Sequence, residues 1–214
     1  MIVSHSQRLL FVHVQKTGGT SIDWLLRDLD IGAEPLKGLP GTKHAKLRAA
    51  LREHPPLRDY FIFGFVRNPW ARLFSWHAMV LRRQELSETS DYMADRMARN
   101  PFWLKVADDY ESFEDFVLRG TEDIPRLRVP QLDYLVAPRR RADFIGRTEN
   151  LDDDVREAMR RAGLGERAEE VLPPRRNAGP SGRFREHYTP AMVDRVAEVF
   201  ATDIAEFGYT FDGD

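Results

Sequence analysis

A three-layer α/β/α fold with a central, mainly parallel sheet is predicted by two observations. Two short apolar runs, Leu9-Leu10-Phe11-Val12 and Phe61-Ile62-Phe63-Gly64-Phe65-Val66, have the character of strands buried on both faces. Each is followed closely by apolar residues at helical spacing, and that alternation of strand and helix builds parallel sheets. With 214 residues, 42% hydrophobic and 31% charged, the chain has the material for one core of ordinary composition. A single domain over residues 1–214 is expected.

In chain order, a strand over Arg8–Val14 leads through Gln15–Gly19 into a helix over Thr20–Leu29, with Ile22, Leu25, Leu26 and Leu29 on one face. Three glycines and two prolines make Ile31–Thr42 a loop. A short helix follows over His44–Leu51, then the second strand over Tyr60–Val66. Trp70–Arg83 is a helix with Pro69 near its first position. Residues 87–109 are polar and mixed, with weak helical periodicity. Ser112 and Asp115 have the spacing of a capping box before Phe116-Val117-Leu118. A third strand is expected over Ala142–Gly146. Asn150 then stands as an N-cap, with Asp152, Asp153 and Asp154 where the helix dipole favours acids. Pro173–Gly182 is a loop. The last helix starts at Thr189-Pro190 and stops before Gly208, with Val193, Val196, Phe200, Ile204 and Phe207 in a single stripe.

Composition removes several function classes. The net charge is −2, from 32 basic and 34 acidic side chains, which argues against a surface that holds nucleic acid throughout. A local basic pocket remains compatible with it. There is no cysteine, so disulfides, thiolate catalysis and cysteine-ligated metal are excluded. No apolar run approaches the length of a membrane span, and a cytoplasmic protein without membrane contact is expected.

The segment with the most chemistry is Lys16-Thr17-Gly18-Gly19-Thr20-Ser21, where a strand delivers a glycine pair into a helix N-terminus. The first N–H groups of a helix have no internal partners and carry partial positive charge, so such a turn traps oxyanions. Thr20 and Ser21 add hydroxyls and Lys16 adds a full charge. The plainer reading is a tightly packed helix start with a solvated lysine. In a Walker loop the lysine follows the last glycine; here Lys16 precedes both, and that pattern fails.

Phe11-Val12-His13-Val14-Gln15-Lys16-Thr17-Gly18-Gly19-Thr20-Ser21-Ile22 resembles the 5′-phosphosulfate loop of sulfotransferases. It is most similar to the branch of heparan sulfate 2-O- and 6-O-sulfotransferases and their compact bacterial relatives, sulfotransferase family 2. The resemblance implies a P-loop-like sulfotransferase fold and 3′-phosphoadenosine 5′-phosphosulfate (PAPS) as co-substrate, gripped by Lys16 to Ser21. Phe65-Val66-Arg67-Asn68-Pro69-Trp70-Ala71-Arg72-Leu73-Phe74-Ser75 resembles the family's 3′-phosphate motif, which implies that Arg67 and Ser75 bind that phosphate. Arg67 ends the second strand, where open parallel sheets bind ligands, and an arginine fork matches two phosphate oxygens. Alone, Arg67 would read as a structural ion-pair residue and Ser75 as a cap.

Transfer to a hydroxyl needs a base, and six histidines are available. His13 reads as a residue inside a strand, in the core or hydrogen-bonded at the sheet end. His5 and His54 read as surface residues and His77 as a packing residue; His187 precedes the last helix. Lys43-His44-Ala45-Lys46-Leu47 resembles the segment that carries the catalytic histidine of the 6-O enzymes, which makes His44 the candidate base, against a structural or substrate-contact role. Lys16 would stabilise the leaving group. Arg183 and Arg185 either close over the nucleotide or belong to an exposed basic loop. Arg139-Arg140-Arg141 and Arg175-Arg176 read as solvated charge. The His, Asp and Glu positions lack metal-ligand spacing and no metal is expected. The acceptor is a hydroxyl-bearing sugar or small molecule. Phe102, Trp103, Tyr92 and Tyr110 either shape its site or belong to the core. The alternatives are a kinase-like phosphoryl transferase, which lacks its Walker lysine here, and an inactive nucleotide-binding module.

Overall fold

The computed structural model describes residues 1–39, 43–164 and 181–213. The end of the Ile31–Thr42 loop and most of the Pro173–Gly182 loop, with Arg175 and Arg176, lie outside them. The chain forms two compact units, Met1–Arg67 with Pro130–Asn177 and Asn68–Val129 with Ala178–Asp214.

The first unit is built on a five-stranded sheet. Its strands are β1 (Ile2–Ser4), β2 (Leu9–Val12), β3 (Ala33–Pro35) and β4 (Phe61–Val66); after a separate hairpin of β5 (Val136–Ala137) and β6 (Arg140–Arg141) comes β7 (Phe144–Arg147). The spatial order is β3-β1-β2-β4-β7. β2, β4 and β7 are parallel, with Phe11 opposite Phe63 and Val66 opposite Arg147. β1 is antiparallel to both β2 and β3, so four of the five strands point the same way. The three strands read from sequence are the contiguous parallel set β2-β4-β7, with β7 at one edge. The two additions beyond β2, β1 and then β3 at the edge, are three residues each, too short to show a period of two, and β3 lies where Gly32 and Pro35 signal a loop.

Alternation along the strands sends Leu9, Phe11, Phe63 and Phe65 to one face. There they pack with Ile22, Leu25 and Leu26 of helix Gly19–Asp28 and with Val155, Ala158 and Met159 of helix Leu151–Arg161. Each of the larger side chains among them, from valine to phenylalanine, contributes about 1.5–3 kcal/mol by leaving water. A β-carbon on Gly146 would lie within 3.0 Å of the Phe65 ring, so glycine is what lets β7 approach its neighbour here. On the opposite face a β-carbon on Gly64 would meet Leu135 of the short helix Leu132–Leu135. Helix Leu47–Glu53 packs on that segment and completes a three-layer α/β/α unit.

Helix Leu47–Glu53 starts three residues later than expected, because Lys46 is extended (ψ 149°) and takes the N-cap position. His44 therefore sits in the turn before the helix. Asn150 does not cap the following helix with its side chain; its amide donates to Asp154 Oδ1 at 2.9 Å. Arg140 is not solvated charge either. Its guanidinium donates to both Asp143 oxygens, at 2.7 and 2.6 Å, and to the carbonyls of Tyr60 and Arg58.

The second unit is helical. Its longest helix, Pro69–Ser87, has Pro69 in its first turn and Asn68 as N-cap, whose Oδ1 accepts from the N–H groups of Trp70 and Ala71. Residues 87–109, weakly periodic in sequence, carry helices Asp91–Ala98 and Pro101–Asp109, capped by Ser90 and Asn100. Phe102, Trp103 and Tyr110 are core residues, and Arg83 lies 3.9 Å above the Trp103 ring; Tyr92 is 67% exposed. Ser112 Oγ accepts from Asp115 N–H, but Asp115 reaches back to Glu111 N–H rather than to Ser112, so half of the capping box forms. The expected last helix is two, Pro190–Val199 and Ala201–Phe207, broken where Phe200 leaves helical geometry (φ −110°, ψ 25°).

Candidate active site

β2 ends at Val12 and its helix begins at Gly19, so residues 13–18 form the turn between them. The turn lies at the carboxyl end of a parallel strand, the edge at which open α/β sheets bind ligands. It bends through two left-handed residues, Lys16 (φ 69°) and Gly18 (φ 75°). Glycine takes that conformation freely; for lysine it costs about 1–2 kcal/mol. Thr17 is fully buried and its hydroxyl donates to Val14 O at 3.1 Å, so that side chain holds the turn from inside. The helix closes with Ser21 N–H on Gly18 O at 2.9 Å, and Ser21 is buried while Thr20 is half-buried. The N–H groups of Gly19 and Thr20, in the first turn, have no intrahelical acceptor and stand at the positive end of the helix dipole.

Arg67 follows the end of β4, the strand next to β2. Its guanidinium donates to Lys16 O at 3.3 Å. Gln131 fixes its backbone from both sides: Oε1 accepts from Arg67 N–H at 2.9 Å and Nε2 donates to Arg67 O at 2.7 Å. Thr148, just beyond β7, donates to Val66 O at 3.0 Å. Neither Gln131 nor Thr148 was singled out from sequence. Gln131 lies 64 residues from its partner, and no local pattern marks such a pair.

His44 Nδ1 lies 3.0 Å from His13 O. A carbonyl can only accept, so Nδ1 carries the proton and the lone pair of the neutral ring is on Nε2. The two rings meet edge to face, centroids 4.4 Å apart at 76°. His13 is one residue past the strand, not inside it, and two past Phe11, whose ring lies 5.6 Å from its own. Burial, with His44 and Lys43 nearby, holds His13 well below the usual histidine range. Lys46, beside this turn, pairs with Asp133 at 2.7 Å.

The first unit thus brings together Lys16, Gly18, Gly19, Arg67, His13 and His44. Ser75 is half-buried on helix Pro69–Ser87 of the second unit, and Arg183 is an exposed residue at the kink of the turn Ser181–His187 in that unit. Arg185 is engaged with Phe211 O at 2.8 Å. The other histidines have local roles. His5 meets Tyr60 Oη at 2.8 Å, His54 meets Lys37 O at 2.8 Å, and His187 stacks on Phe74. His77 packs on Phe113 and Phe116, and burial lowers its pKa to about 4. Among the described residues no cluster of His, Asp or Glu could hold a metal ion, and no helix is long and apolar enough to cross a membrane.

A glycine turn feeding a helix N-terminus, with a lysine and an arginine at the same carboxyl edge of the sheet, is an arrangement of an α/β protein that can hold an anion. The sequence model of the Sulfotransferase family matches residues 1–210, and the chain belongs to that family. It is a transferase whose chemistry is movement of a sulfuryl group to a hydroxyl-bearing acceptor. Neither the curated proteins nor the solved structures contain a match to it.

Proposed function

We propose that the chain transfers the sulfuryl group of PAPS directly and in line to the hydroxyl of a sugar or small-molecule acceptor, with His44 as general base. The observation that carries this reading is the Arg67–Lys16 contact, which joins a guanidinium to a lysine-bearing glycine turn. One chemical group with negative charge at two ends suits that pairing, and a 3′,5′-substituted adenosine is such a group. When bound, the donor supplies the sulfuryl group and leaves as adenosine 3′,5′-diphosphate.

The N–H groups of Gly19 and Thr20 and the Lys16 ammonium hold the 5′ end, and Lys16 offsets the charge that grows on the leaving oxygen. Arg67 holds the 3′-phosphate through its planar fork, each charge-assisted hydrogen bond contributing about 1.5–3 kcal/mol. His44 takes the acceptor's proton at Nε2 as the new S–O bond forms and the S–O bond to the phosphate breaks. Roles for Ser75 and Arg183 in donor binding, and the treatment of residues 1–214 as one sulfotransferase domain, rest on the sequence resemblance; the family match over residues 1–210 supports the latter.

Thermal shift with adenosine 3′,5′-diphosphate against ATP–Mg²⁺, followed by labelled PAPS with a panel of alcohols, phenols and glycans, tests the reading. It expects stabilisation by the diphosphate and label transfer to at least one acceptor, lost in His44→Ala. Stabilisation by ATP–Mg²⁺ alone would replace it with a phosphoryl transferase. Diphosphate binding without transfer to any acceptor would leave a nucleotide-binding module.

A further inference from the structure

His13 touches both working parts of the site. On one side its imidazole occupies the space that a side chain at Gly19 would need: a β-carbon there would come within 3.0 Å of His13 Cδ2 and Nε2. On the other side the ring meets the His44 imidazole at 4.4 Å, and the carbonyl of the same residue receives the His44 Nδ1 proton. Gly19 is the first residue of the helix at the phosphate turn, so the ring is wedged between that helix start and the base. The direction of the His13 carbonyl follows from where its own ring is lodged, since one backbone carries both.

We propose that His13 is a positioning residue: its ring, lodged between Gly19 and His44, holds its carbonyl on His44 Nδ1 and so keeps the base in the tautomer whose lone pair is on Nε2. The inference rests on the reading of His44 as general base. The tautomer matters because a ring with its proton on Nε2 cannot receive one there. Burial keeps His13 itself uncharged at neutral pH, so it adds no second cation beside the base.

The test is long-range ¹H–¹⁵N NMR of the histidine rings in the full chain saturated with adenosine 3′,5′-diphosphate, with His44→Ala to assign the signals. In the unaltered protein His44 should show a protonated Nδ1 and an unprotonated Nε2. In His13→Ala the two nitrogens should move toward a common, tautomer-averaged position. Turnover should fall about 10- to 100-fold, as for a misplaced catalytic group, while the diphosphate Kd stays within about threefold, well under the tenfold that 1.4 kcal/mol represents. His13→Phe, which refills the wedge, should restore most of the turnover and the Nδ1-protonated state. If His13→Ala fails to fold, His13→Asn, which removes the ring, takes its place with the same readings.

An unchanged Nδ1-protonated His44 in the ring-deleted variant would overturn the inference. So would a loss confined to diphosphate affinity with kcat intact, since the ring would then support the turn alone. Both results leave the functional reading standing. Full transfer by His44→Ala would instead remove that reading, and this inference with it.

Discussion

The Arg67 guanidinium donates to the backbone carbonyl of Lys16 at 3.3 Å, across the parallel pair β2–β4. The bond ties the residue after one strand to the turn after its neighbour, and it occupies the Lys16 carbonyl with a donor from the protein. In the proposed role of presenting N–H groups to an anion, the turn would gain from having that carbonyl held by a cation, since a carbonyl facing the anion would repel it.

Arg67→Lys keeps the charge and loses the fork. Its affinity for adenosine 3′,5′-diphosphate should fall about tenfold and that of Arg67→Ala about 100-fold, following the strength of charge-assisted hydrogen bonds. Affinity for adenosine 5′-phosphate should change far less in both. Isothermal titration of the two nucleotides gives the comparison; equal losses for both would detach Arg67 from the 3′-phosphate.

Lys16 combines a charge with a left-handed backbone. Asparagine tolerates that backbone and carries no charge, so Lys16→Asn separates the two. Turnover should drop about 10²–10³-fold, the scale for one lost charge-stabilising donor. The melting temperature should stay close to that of the unaltered protein. Turnover near normal in Lys16→Asn would remove the lysine from the chemistry.

Gly18, in the turn, and Gly19, at the helix start that follows it, are constrained for different reasons. Gly18→Ala places a side chain at φ 75° and should cost about 1–2 kcal/mol. Gly19→Ala has ordinary backbone angles but drives a methyl group into the His13 ring, an overpacking penalty of about 1–3 kcal/mol. Denaturant unfolding measures both. His13→Ala should relieve most of the Gly19→Ala penalty and none of the Gly18→Ala penalty, a coupling read from the double mutants.

His77 gives the pH dependence a sign. Its folded pKa is pushed down to about 4 by burial, below the ordinary 6.5. Between those values the unfolded chain binds the proton and the folded chain does not. The stabilisation is therefore complete above pH 6.5, declines as pH falls toward about 4, and is constant below. The slope is at most about 1.4 kcal/mol per pH unit for one site. His77→Phe, which matches the Phe113 and Phe116 surroundings, should flatten that decline without abolishing it, because His13 is shifted the same way. An unchanged slope in unfolding free energy against pH would contradict the assignment.

What sequence could reach divides along physical lines. The parallel centre of the sheet was legible because β2 and β4 are buried apolar runs, and the turn was legible because a lysine and two glycines stand between such a run and a helical face. The additions β1 and β3 were not, since three residues carry no readable period. Residues 87–109 looked irregular because neither of their helices exceeds nine residues, yet Ser90 and Asn100 mark each start. In the site, His13 had a usable signal: it follows Phe11 by two, so a polar ring continues the apolar face of a strand. Gln131 had none, because its role exists only once two distant segments meet.

The proposed function requires that this carboxyl edge of the sheet hold a nucleotide phosphorylated at both the 3′ and 5′ positions. Calorimetric titration of the folded chain with adenosine 3′,5′-diphosphate measures it directly. The expected result is saturable, one-to-one heat that Lys16→Asn and Arg67→Ala each weaken. No heat at millimolar nucleotide, or heat that both substitutions leave untouched, would contradict it.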